Sequence, residues 1–115
     1  MHCHEQDFYF DYKDIVCVEA ARSQSTVHTR TGSIHPAKVV TCKSVAEMEE
    51  LLSDKRFLRI HKSWLVNLQH VCGHKKGDTH SLILSNTVLA DISDTKVKDV
   101  LAAVEQFRLP PLGDL

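Results

Sequence analysis

The 115-residue sequence predicts a mainly β domain with two helices, and three observations carry that prediction. Short apolar stretches rich in β-branched and aromatic residues recur along the chain, each closed by a turn-forming group. Two segments, 45–52 and 97–104, space their apolar residues at helical intervals. No apolar run approaches the roughly 20 residues that a membrane helix requires.

Phe8, Phe10 and Tyr12 alternate, which predicts a first strand with one buried face. Residues 15–20 form a second, more continuously apolar strand. The β-branched alternation of 24–29 gives a third, and Thr31-Gly32-Ser33 supplies the turn after it. Ile34 resumes extended structure, and Pro36, which has no N–H to offer a ladder, belongs on an edge or bulge. Ser44 opens the first helix. With Glu47 it has the spacing at which each side chain satisfies a free backbone N–H of the first turn. Val45, Met48, Leu51 and Leu52 form the apolar stripe, and the helix should stop near Ser53-Asp54.

The stretch 57–68 is too apolar for a free loop and too interrupted by polar residues for one helix. It reads as a short strand, a tight loop at His61-Lys62-Ser63, and a buried turn into the next strand. Val71 to Lys75 and Ser81 to Leu84 make a hairpin around Lys76-Gly77-Asp78. Ser85-Asn86 turns into a last strand, 88–92. A C-terminal helix begins near Ser93 or Asp94, with Val97, Val100, Leu101 and Val104 on one face. Pro110-Pro111 ends regular structure. One domain over 8–107, between tails at 1–7 and 108–115, accounts for the whole length.

Composition limits the function. Charged residues make up 25% and hydrophobic residues 43%, an ordinary balance for a folded domain. The net charge of −1 conceals a gradient: residues 1–21 carry −4, residues 22–98 carry +5, and residues 99–115 carry −2. The middle of the chain is therefore able to face phosphates. The first residues hold no basic stretch followed by an apolar one, so no secretory leader is expected. Cys3, Cys17, Cys42 and Cys72 form no CxxC pair and read as reduced thiols of a cytoplasmic protein.

Nothing in the spacing of serines and histidines singles out a nucleophile with its base, and neither a Gly-rich phosphate loop nor GxSxG occurs, so no enzyme is expected. His70, Cys72 and His74 alternate, with His80 across the hairpin, a spacing that can serve zinc. Packing of buried Cys and His is the plainer account, and His2-Cys3-His4 falls in a terminal tail. The reading is no metal and no cofactor.

Three segments together resemble one family. Residues 14–20, DIVCVEA, resemble the DI-x-x-IEA strand that opens LytTR DNA-binding domains. Residues 43–52, KSVAEMEELL, are similar to the KSL-x-x-LE-x-LL helix. Residues 57–67, FLRIHKSWLVN, match the F-x-R-[IC]-H-[RKN]-S-[YF]-[LV]-VN stretch, and that match is the specific one. The resemblance covers about 8–104. It implies an elongated sandwich of stacked β-sheets with helices at the side. It also implies a bacterial transcriptional regulator, often a two-component response regulator in which a receiver domain precedes this one. No receiver is present, so an excised or stand-alone domain is expected, binding repeated sites on double-stranded DNA as a homodimer or through an absent receiver.

DNA affinity comes mainly from phosphate contacts, and specificity comes from base edges. The resemblance implies three contacting loops, which fall here at 22–25, 61–63 and 93–96. Lys62 stands at a base-reading position, where lysine donates to guanine O6 and N7. His61 and Ser63 flank it, and His61 is either a contact or an anchor of its own loop. Arg59 is either a phosphate clamp or an exposed strand residue. Arg22, Gln24 and Ser25 match the first loop, and Gln24 is an adenine reader or a solvated turn residue. Lys43, just before the helix, is within reach of phosphate, and Lys96 belongs to the third loop. Trp64 and Asn67 read as core and turn residues. Two positions depart from the family: Asp94 and Cys42 stand where arginine is usual. A second class therefore stays open, a domain of this fold that acts as a protein-interaction or inhibitory module.

Overall fold

In a computed structural model of the chain, residues 9–53 and 56–107 are described. They build two antiparallel sheets and two α-helices. Strands β1 (Ile15–Ala21), β2 (Gln24–Thr29), β3 (Lys38–Thr41), β4 (Phe57–His61) and β5 (Trp64–Asn67) form a five-stranded sheet in the order β3-β2-β1-β5-β4. Strands β6 (Val71–Lys75), β7 (Ser81–Leu84) and β8 (Leu89–Asp91) form a three-stranded sheet in chain order. Helix α1 (Val45–Leu51) follows β3, and α2 (Val97–Phe107) follows β8. The assembly measures 49 × 29 × 23 Å, the elongated stack that was expected.

The larger sheet is covered on both faces. One face carries Ile15, Val18, Val27, Phe57 and Leu65 against Val45 and Leu52 of the α1 segment. The other carries Cys17, Ile60 and Val66 against Leu82, Leu84 and Ala90 of the second sheet and Val100 of α2. Leu65 and Val66, neighbours on β5, enter opposite layers because successive strand residues point to opposite faces. A central strand buried on both sides has no polar face, which is why 15–18 read as an unbroken apolar run. Cys17 sits in this core, and burial pushes its thiol up to about 12, so it behaves as a small apolar filler.

Helix α1 begins as its sequence demands. Ser44 Oγ accepts from Glu47 N, and Glu47 Oε1 accepts from Ser44 N. Val45 and Leu52 are buried and Met48 packs beside them, but Leu51 is exposed. Six residues at 100° each put Leu51 about 120° away from Val45, off the stripe to which it had been assigned.

Several expected boundaries shift. No strand runs through 10–14: Tyr12–Asp14 form a 3-10 turn, in which Asp14 N donates to Asp11 O, and Phe8 lies outside the described residues. Alternation there comes from Phe10 and Tyr12 packing separately, Phe10 on the His35 ring and Tyr12 on Phe57. Ile34 is exposed and does not resume a strand. Ser33 Oγ accepts from His35 N, and Thr29 Oγ1 donates to Pro36 O, so the chain turns until Lys38. The last strand is shorter than 88–92, and a 3-10 turn at Asp94–Lys96 precedes α2. Cys42 is exposed and disulfide-bonded, which corrects the expectation of a reduced thiol there, while Cys17 and Cys72 are free. The tails at 1–7 and 108–115, including His2-Cys3-His4 and Pro110-Pro111, lie outside the described residues.

Asn67 joins the two halves of the larger sheet. It is fully buried, its Nδ2 donates to Tyr12 O and Ile15 O, and its Oδ1 accepts from Gln69 N. Leucine at this site would leave those backbone groups unpaired at roughly 1–3 kcal/mol each. Asn67→Leu is therefore expected to destabilise the domain by at least ~2 kcal/mol, measured as a shift in urea midpoint at constant m-value.

Candidate nucleic-acid interface

Antiparallel pairing brings the end of one strand beside the start of the next, so connections collect at the sheet's edges. The β1–β2 turn (22–23), the β4–β5 turn (62–63) and the segment from β3 into α1 share one edge, because Glu19 pairs with Trp64 and Ser25 with Thr41. The second sheet extends it with the β6–β7 connection and the approach to α2, because Ser81 pairs with Asp91.

Four hydrogen bonds tie this edge together. Ser25 Oγ donates to Lys43 O at 2.8 Å, and Ala20 N to Ser63 O at 2.9 Å. Ser93 N donates to Ile60 O at 2.9 Å, and Ile92 N to His80 O at 2.8 Å. The three loops predicted from the sequence thus converge, although 22 and 96 are far apart in the chain. A cleft of about 380 Å³ lies between the second and third, lined by His61, Lys62, Thr79, Asp91, Ile92, Ser93 and Asp94.

The side chains take different places on this edge. Lys62, Arg22, Gln24, Lys43 and Lys96 are exposed. Arg22 holds φ 61°, a left-handed conformation that a non-glycine residue adopts at a cost, within a two-residue turn. Ser25 is fully buried with its hydroxyl spent on Lys43 O, so it cannot reach a groove, and its assignment as a contact is corrected. His61 Nδ1 accepts from Ser63 N at 3.1 Å. The neutral ring then carries its proton on Nε2, so His61 anchors its own loop and keeps one donor. Arg59 is neither an exposed strand residue nor a free cation: it bonds His61 O, Lys62 O and Glu49 Oε1. Trp64 packs partly against the core. Asp94 is exposed beside Lys96.

Sequence reasoning missed Lys75 and Lys76. Both are exposed, Lys75 at the end of β6 and Lys76 on the β6–β7 connection, at the same edge as Ser93. The hairpin had been recognised, and following its register through β8 would have placed these cations beside the third loop.

The possible zinc set does not converge. A bulge between Val71 and Gly73 breaks the strict alternation. His70 bonds Ser85 Oγ and Lys13 O, while His74 Nε2 meets His80 Nδ1 at 2.9 Å with the rings stacked. Among the described residues, no three His, Cys, Asp or Glu side chains are arranged to hold a metal ion. No described helix is long and apolar enough to cross a membrane.

Burial, the neighbouring His80 and Lys76 hold His74 below the ordinary histidine value. As pH falls through about 6.5 the unfolded chain therefore binds this proton first, and stability declines on the acid side. His74→Gln should lose less melting temperature than the parent protein between about pH 7 and 5.5, followed by thermal denaturation. An equal loss in both would assign the acid sensitivity to other groups.

Comparison with known proteins gives a consistent picture. The family model described as the LytTr DNA-binding domain matches residues 5–105. The CO-responsive transcriptional regulator RcoM of Rhodospirillum rubrum is 32% identical over 85 residues, which are 73% of this chain and 34% of that protein. The chain thus spans about a third of this curated relative's length. A solved LytTr DNA-binding domain, from a protein described as a methyl-accepting/DNA response regulator of Bacillus cereus, superposes with a TM-score of 0.68. That match has 20% identity and covers 83% of this chain and 84% of the other.

Proposed function

The chain belongs to the LytTR family of DNA-binding domains, and from that premise we propose that it regulates transcription by sequence-specific binding of duplex DNA, with loops inserted in the major groove. One arrangement supports this reading above all: Arg22, Lys43, Lys62 and Lys96 stand exposed on four separate connections along a single edge.

The parts divide by role. Lys62, at the tip of the β4–β5 hairpin, reads a base edge, since the major groove admits a two-stranded ribbon and lysine donates to guanine. Arg22 and Gln24 contact DNA from the neighbouring hairpin, and Lys43 and Lys96 neutralise phosphates to either side. His61 offers its remaining donor, and Ser63 shapes the turn. Two protomers occupy adjacent repeats, as a homodimer or through an attached receiver domain, and the protein works in the cytoplasm. The relative named as a CO-responsive transcriptional regulator supports a regulatory role.

A duplex selected from a random pool, titrated by fluorescence anisotropy between 50 and 200 mM salt, tests the reading. The logarithm of affinity should fall with that of salt by about 0.9 per neutralised phosphate. Lys62→Ala should lose about tenfold of the preference for the selected site. Preference that survives Lys62→Ala unchanged would count against loop readout. No binding at low salt would favour a protein-interaction module, which the carboxylate of Asp94, exposed in the third loop, makes a specific alternative.

A further inference from the structure

We propose that Arg59 is a positioning residue, which acts on DNA recognition through the backbone of the Lys62 turn and not by touching DNA. The assignment rests on the reading of Lys62 given above.

The Lys62–Ser63 connection is a two-residue hairpin loop between paired His61 and Trp64. Such loops favour the mirror-image turns, whose first central residue has positive φ and whose twist matches the strands. Among the described non-glycine residues only Arg22 and Thr87 have positive φ. The turn at Lys62 is therefore not one of these mirror-image turns, and a bulge between Arg59 and His61 bends β4 just before it. The bulge beside it aims the Arg59 side chain at the turn's backbone.

Arg59 Nε donates to His61 O at 2.9 Å, and Nη2 donates to Lys62 O. Ser63 O accepts from Ala20 N, and Ser63 N donates to the His61 ring. The carbonyls of His61, Lys62 and Ser63 are thus held, two of them by one guanidinium. The Lys62 side chain is left as the exposed probe.

The same bonds argue against a phosphate clamp. Of the five guanidinium N–H donors, three are committed: two to the loop and one to Glu49 Oε1 at 3.0 Å. Glu49, on α1, balances the charge a phosphate would seek, and the Arg59 side chain is only 21% exposed. Its fork geometry matters more than its charge, and lysine cannot reproduce that geometry.

Arg59→Lys separates the two roles, because it keeps the charge and loses the fork. Against the selected duplex and a scrambled one, it should lose about tenfold of the specificity ratio, while its salt dependence stays that of the parent. In the free protein, amide resonances of 61–63 should shift while the unfolding midpoint holds. Glu49→Ala, which frees the guanidinium from α1 without removing it, is the second variant should Arg59→Lys fail to fold. It too should lower the specificity ratio. Unchanged discrimination in Arg59→Lys, or in Arg59→Gln should Arg59→Lys not fold, overturns the assignment alone. So does Arg59→Gln lowering the salt slope by about one with the ratio intact, the behaviour of a phosphate contact. A parent protein that forms no specific complex at low salt overturns the assignment together with the reading beneath it.

Discussion

Pairing of Cys17–Glu19 with Leu65, Val66 and Trp64 is the constraint on which the loop edge depends, since it registers two otherwise independent hairpins against each other. Each hairpin alone would be marginal. Joined through β1 and β5, they bury Val18 and Leu65 on one face and Cys17 and Val66 on the other. Slipping this pair by one residue would exchange the two layers and turn apolar side chains toward the wrong partners. The core therefore fixes where the β1–β2 and β4–β5 turns end relative to one another. On the reading proposed above, a groove reader would need that precision, because the exposed cations of this edge sit on different connections. Asn67 reinforces it from the opposite edge by tying β5 to the start of β1.

The sequence displays this design unevenly. The capped helix at Ser44, the β6–β7 hairpin and the amphipathic face of α2 were legible because each is dictated by local periodicity and capping chemistry. Convergence of 22–25, 61–63 and 93–96 was legible only by resemblance, since nothing local says which turns share an edge. Ser25 shows the limit. Its position in a loop suggested exposure, but β2 begins at Gln24, and the pleat turns Ser25 inward to bond Lys43 O. Arg59 shows it again: a cation on a short strand suggests a phosphate, and only the bulge after it aims the guanidinium at carbonyls. Phe10 and Tyr12 alternate for unrelated reasons, each serving a different aromatic neighbour.

Charge on this surface is sorted more by pairing than by count. Asp14 is held below the usual carboxylate range chiefly by its hydrogen bond from Arg30, and the two neutralise each other away from the loop edge. Glu19 is engaged by His28, and Glu49 by Arg59. With Arg22, Lys43, Lys62 and Lys96 exposed on it, the edge is richer in cations than the whole chain, whose formal charge is −1. Lys75 and Lys76 add to it from the second sheet. Asp94 opposes them, and its neighbour Lys96 lies within the same turn. A local field of this kind steers a polyanion even when net charge does not.

A recognition helix is internally rigid because its backbone bonds are satisfied along its own axis. Loops have no such ladder, so a loop-based reader must borrow rigidity from its neighbours. Here it is drawn from three directions: from β1 through Ala20, from within the turn through the His61 ring, and from β4 and α1 through Arg59 and Glu49. In this arrangement most polar groups of the Lys62 turn are bonded within the protein, which on the proposed reading leaves few of them to contact DNA. Specificity then concentrates in a small number of exposed side chains. Discrimination scales with how little those side chains can wander, because ordering them on binding costs about 0.5–1.5 kcal/mol each, comparable to what one base contact returns. A lysine on four rotatable bonds gains most from a turn already held still, so the proposed role of Lys62 depends on the bonds that Arg59 makes to the backbone beneath it.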